Sequence, residues 1–296
     1  MKSRLTVILS FVVSLFLTLT LLATALCAFG SAFLEKSEGL EEAALKSDYS
    51  NTLYEEIKYD FENLLSITGV METESIMTAL TPEMVERDAL SYLAYSYGDG
   101  ANLDTLSLEA DLYTKIRTYI ESVLPEGEEW SDELENNLND LVSACVRRYC
   151  QGIQIPMLPK IGKTLVKLGS YLKWGAIAAA LASLGCMAYL FLLHKPRRKA
   201  LYYHALSTTT NSVLFLGAVY LAKQNHITER LPIKESALQD LLSTYLQSLL
   251  GVLEQIGWVF LGATVLLLLA ESVLFFLSQK KEKNVPLSEL TSPETL

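Results

Sequence analysis

Leu5–Phe33 reads LTVILSFVVSLFLTLTLLATALCAFGSAF, 29 residues without a single charge. That is longer than a soluble core helix needs. At about 1.5 Å of rise per residue it exceeds the ~30 Å hydrocarbon slab of a bilayer. Three further apolar stretches follow, at 174–193, 201–222 and 256–277, each long enough to cross. The expected fold class is all-α: a four-span transmembrane helix bundle with a helical extracytoplasmic domain between spans 1 and 2.

Charge divides the chain in the same way. Residues 34–160 hold 26 acidic side chains against 9 basic, a net of −17, while the remainder is net positive. An acidic globule in water and basic flanks at a membrane account for this. Such a surface repels nucleic acid, so no nucleic-acid partner is expected. Lys2 and Arg4, the connection His194-Lys195-Pro196-Arg197-Arg198-Lys199, and Lys280-Lys281-Glu282-Lys283 fall on one side of a four-span chain. The positive-inside rule puts both termini in the cytoplasm of a multi-pass cell-membrane protein. Lys160, Lys163, Lys167 and Lys173, ahead of the second span, run against that bias. The first span has a basic leader and a small-residue site at Gly30-Ser31-Ala32, as signal peptides do. Its apolar run is about twice the usual length, which favours an uncleaved anchor.

The boundaries are span 1 at 1–33, an acidic helical domain at 34–160, span 2 with its basic turn at 161–200, span 3 at 201–223, an amphipathic segment at 224–255, span 4 at 256–278 and a tail at 279–296. Four helices are expected in the domain. Leu53, Ile57, Phe61, Leu64 and Leu65 carry the first, read as an upward continuation of span 1. Thr81-Pro82-Glu83 starts the second, which stops at Gly98-Asp99-Gly100. Leu108, Leu112 and Ile116 mark the third, and Ser131-Asp132-Glu133 caps the fourth. Leu238, Leu241, Leu242, Tyr245 and Leu249 form a stripe that runs into span 4, predicting one helix over 235–278 whose greasy outer face packs on the domain. In architecture alone the plan resembles four-helix chemoreceptor sensors, but no signalling coil follows the second span, and the likeness implies no function.

The polar residues within the spans are the candidate site. Gly257, Thr264, Glu271 and Ser278 are spaced by seven and share a face. An intramembrane carboxylate is costly unless protonated, paired or wet. Glu271 therefore reads as a structural hydrogen-bond partner, a carboxylate reaching the cytoplasmic interface, a proton or cation site, or a docking point for a basic partner helix. His204, Thr208 and Asn211 share a face of span 3, and Thr208 lies at the depth of Glu271, so this patch is the expected partner of the carboxylate. Ser10, Ser14 and Thr18, and the small residues of span 2, read as close-packing surfaces.

No catalytic constellation is spaced along the chain. Three histidines near membrane boundaries argue against a metal centre. Asp99–Asp104 fails as a calcium loop, because Ala101 and Leu103 stand where oxygen ligands belong. Cys145 and Cys150 diverge by about 140° on one helix and read as free thiols. No cofactor is expected. The reading is a non-enzymatic integral membrane protein whose helical outer domain binds a membrane or envelope protein or an envelope component. The alternative is a transporter or channel subunit using the patch of Glu271, Thr208, Asn211 and His204.

Overall fold

The computed structural model describes residues 2–70, 73–125, 129–194, 198–233 and 235–283, with side chains from 6 to 277. The bases at 195–197, the tail lysines and the Ser278 end of the seven-residue seam lie outside the described side chains. The chain forms α1 (Lys2–Leu34), α2 (Glu38–Lys46), α3 (Tyr49–Ile67), α4 (Thr73–Met77), α5 (Pro82–Tyr97), α6 (Leu106–Val123), α7 (Asp132–Ile153), α8 (Leu158–Leu193), α9 (Arg198–Gln224) and α10 (Ser236–Lys283), and no strand among the described residues. Helices in α1, α8, α9 and α10 are long and apolar enough to cross a membrane. The chain divides into two compact units, and α8 and α10 each contribute to both.

One unit is a helical domain built from α2–α7, the first turns of α8 and the start of α10. Its helices begin and end where the sequence supplies the chemistry. The Thr81 hydroxyl accepts from the Met84 amide at 3.2 Å, Pro82 occupies the first turn, and Gly98 at φ 101° terminates α5. That left-handed conformation suits glycine because it has no Cβ. The Ser131 hydroxyl caps α7 in the same way, accepting from Leu134 at 3.2 Å.

Helix α3 lies centrally, packed on both α5 and α7, while α6 packs on α7. Tyr49, Leu53, Ile57, Phe61 and Leu65, spaced by four, bury one stripe of α3 against Leu93, Val142, Cys145 and Tyr149. Ala237 and Leu241 of α10 are fully part of this core. The amphipathic stripe ahead of the fourth span thus buries its outer face in the domain. The domain differs from the expected four helices. Helix α1 stops at Leu34, and α2 intervenes before α3, so α3 is not a continuation of the first span. Helix α2 exists because Leu40, Ala43 and Ala44 bury one face, and α4 because Ile76 and Met77 do.

The start of α3 meets the end of α7. A Cβ on Gly152 would lie 2.7 Å from Ile57 Cγ1, so these helices touch backbone to side chain. Ser236 donates to Glu56 at 2.5 Å, and Tyr92 donates to the Ile155 carbonyl at 3.2 Å. The chain therefore leaves the domain beside the start of α3. Running antiparallel, the end of α3 and the start of α7 lie about 28 Å away at the opposite end.

The other unit holds α1, α9, and the later parts of α8 and α10. Helix α9 is its best-buried member, with His204, Ser207, Thr208, Asn211, Ser212 and Phe215 all inside. A Cβ on Gly257 would lie 2.8 Å from Leu216, so the glycine sets the close approach of α10 to α9.

Candidate functional sites

Two arrangements hold chemistry that the packing alone does not explain. The first is the polar set inside the membrane-length helices. Glu271 is paired, but with a residue other than those the sequence suggests. Arg198 Nε donates to Glu271 Oε1 at 3.1 Å, and the guanidinium lies 4.2 Å above the Phe275 ring. The physical reason is register. Arg198 opens α9 at the end where α10 carries Glu271, whereas Thr208 lies ten residues deeper, about 15 Å by helical rise.

Thr208 instead receives a hydrogen bond from Thr264 at 2.8 Å, and Thr209 donates to Thr264 at 3.4 Å. Asn211 turns to α1 and donates to the Thr18 carbonyl at 3.2 Å. His204 is buried against Phe191, with ring centroids 4.9 Å apart, and neither of its nitrogens has a hydrogen-bond partner among the described residues. The four candidate residues thus share one unit but have four different sets of partners. No group of three or more metal-ligating side chains forms among the described residues.

The serines read as packing surfaces do more than permit approach. Ser10 bonds His194 Nε2 at 2.7 Å, and Ser14 bonds Ser207 at 3.1 Å. The Ser14–Ser207 and Asn211–Thr18 bonds make a polar seam between α1 and α9, and Ser10 extends it to His194, just past the end of α8. On the other side of α9, Ser212 donates to the Gly257 carbonyl at 3.0 Å. Helix α9 is hydrogen-bonded to both neighbours. The spacing of Ser10, Ser14 and Thr18 by four was the available signal, since it places three hydroxyls on one face.

The second arrangement is a cleft of about 630 Å³ in the helical domain, at the end opposite its chain exits. Leu64 near the end of α3 and Val70 just beyond it, Ile120 and Val123 from α6, and Leu138 and Leu141 from α7 supply its apolar walls. Asn137 and Asp140 are polar groups at its edge. The volume lies within the range of small-ligand and side-chain pockets, and the mixture of apolar wall and few polar groups is what such sites carry. Gly69, at φ 85°, turns the chain out of α3 and opens this side of the cleft. Nearby, Glu135 accepts from Tyr113 at 2.7 Å and from Trp130 at 2.8 Å, tying α6 to the start of α7. These hydrogen bonds hold the Glu135 carboxyl below its usual range.

Sequence periodicity identifies most of the cleft residues as core, because they lie on inward stripes. It does not show that three helix ends leave a gap between them. Comparison with protein-family models, curated proteins and solved structures yields no match to this chain.

Proposed function

We propose that this chain is a non-enzymatic, multi-pass protein of the cell membrane whose helical domain lies outside the cytoplasm and binds a protein or envelope component. The cleft between α3, α6 and α7 carries this reading. It is a preformed concavity in an acidic domain, lined by the ends of α3 and α6 and the first half of α7. The spans anchor the domain, and the basic clusters at the N-terminus, at 194–199 and at 280–283 face the cytoplasm. The pairing of Glu271 with Arg198 supports a structural duty for that carboxylate, since the ion pair answers its need for a partner without a transported ion.

The test uses a photo-reactive residue in the full chain, expressed in cells. It is placed either at Val123, on the cleft, or at Tyr59, exposed on α3 outside the cleft lining. Adducts formed from Val123 and absent from Tyr59 support the reading. Equal labelling from both positions, or none from Val123, overturns it.

A further inference from the structure

The cleft's own electrostatics identify the chemistry of its occupant. Among the described residues its lining contains no lysine or arginine, and Asp140, its charged member, is exposed. Helices α3 and α6 both end there, and neither has a basic residue in its last turn. The carbonyl ends of these two helix dipoles face this end without a basic side chain in either last turn, and the α7 N-terminus beside them carries Asp132, Glu133 and Glu135 in its first turn, so the local balance is negative. The surrounding stretch, residues 34–160, is net −17.

The rim is apolar as well as acidic. Val123, which lines the cleft, is 58% exposed at the end of α6. Its side chain continues the concave apolar wall of Leu64, Val70, Ile120, Leu138 and Leu141 to the surface, and a contiguous apolar patch of this kind suits contact. Anionic amphiphiles are disfavoured by the acidic surround, and a purely apolar ligand leaves its charge unused.

Resting on the binding role above, we propose that the cleft between α3, α6 and α7 receives a cationic amphipathic helix of a partner protein. Its aliphatic ridge enters the cleft past Val123, and its lysines or arginines face Asp140 and the ends of α3 and α6. This is helix-in-groove recognition, with anchors spaced by three and four residues and flanking charges setting the partner's orientation.

The experiment measures binding of two short synthetic helices, one leucine/lysine and one leucine/glutamate, to the full chain in detergent or nanodiscs. The leucine/lysine helix is expected to bind, more weakly as salt rises, and the leucine/glutamate helix to fail. Val123→Asp makes the rim more acidic yet removes an apolar contact, so affinity for the lysine helix should fall by about tenfold. Adhesion by charge alone would instead strengthen with that variant, and this result would overturn the proposal. Asp140→Lys should weaken the lysine helix and gain affinity for the glutamate helix, a rescue that a misfolded domain cannot give. Equal binding of both helices to the wild-type chain refutes the cationic preference while leaving an apolar binding cleft intact. Absence of binding by both, with cross-linking from Val123 retained, refutes the helix proposal alone.

Discussion

Removing either member of the Arg198–Glu271 pair should cost unequal amounts. The Glu271 side chain is 20% exposed and the Arg198 side chain 43%. Arg198→Leu strands a mostly buried carboxylate. Breaking a fully buried pair in this way costs about 3–5 kcal/mol, and the partial exposure here lowers the expectation to about 2 kcal/mol. Glu271→Leu strands a guanidinium that keeps solvent access and its contact with Phe275, the latter worth about 0.5–1 kcal/mol. That loss should be no more than ~1 kcal/mol. The double variant removes both charges and should resemble Glu271→Leu, so the two changes are strongly non-additive. Thermal denaturation of the full chain in one detergent reads the order, at roughly 2–4 °C per kcal/mol. Equal losses from the two single variants, or losses that simply add in the double variant, would refute the pairing as the determinant.

In the helical domain, Tyr149 donates to Asp88 Oδ2 at 2.7 Å in a buried setting, so Tyr149→Phe should cost about 2 kcal/mol in urea denaturation. Burial, reinforced by that hydrogen bond, pushes the Tyr149 phenol up, and burial pushes Tyr49 up to about 12. Their folded values lie above the unfolded one near ~10, so this stability is complete below the ordinary phenol range and is lost as pH rises through the folded values. Alkaline unfolding followed by circular dichroism should show this, with a shallower loss in Tyr149→Phe. Leu241, fully buried in the domain core although it belongs to α10, should lose about 2–5 kcal/mol on change to Ala; a neutral result would show that α10 is dispensable to that core.

The spans, the caps and the stripes were legible because each is a local pattern. Thr81-Pro82 and Ser131 act within three residues of themselves, and Gly98 stops α5 by its own backbone freedom. The two short helices were not legible. Alanines 43 and 44 give a weak periodic signal, although burying them is enough to hold α2 once α5 lies alongside. Pairings across the chain were harder still. Glu271 and Arg198 are 73 residues apart, and no spacing rule ranks Arg198 above Thr208 as its partner. Which of several polar residues meet is decided by the relative register of two helices, a quantity that neither helix's sequence contains. The cleft is less legible again, being the space left where three helices end.

The polar seam that α1 makes with α9 and with His194 ahead of it bears on how the protein is made. Ser10 waits for His194, 184 residues later, and Ser14 waits for Ser207, 193 residues later. At ribosomal rates of about 5–20 residues per second, that delay is roughly ten to forty seconds. During it, intrahelical bonds are available: Ser10 to the Thr6 carbonyl at 2.7 Å and Thr18 to the Ser14 carbonyl at 3.0 Å. Asn211 has the same local recourse, to the Ser207 carbonyl at 3.2 Å. Both helices can therefore enter the lipid as separate, locally satisfied segments. Docking then adds or exchanges hydrogen bonds of about 0.6 kcal/mol each, so close packing must supply most of the drive, and the seam chiefly selects which faces meet.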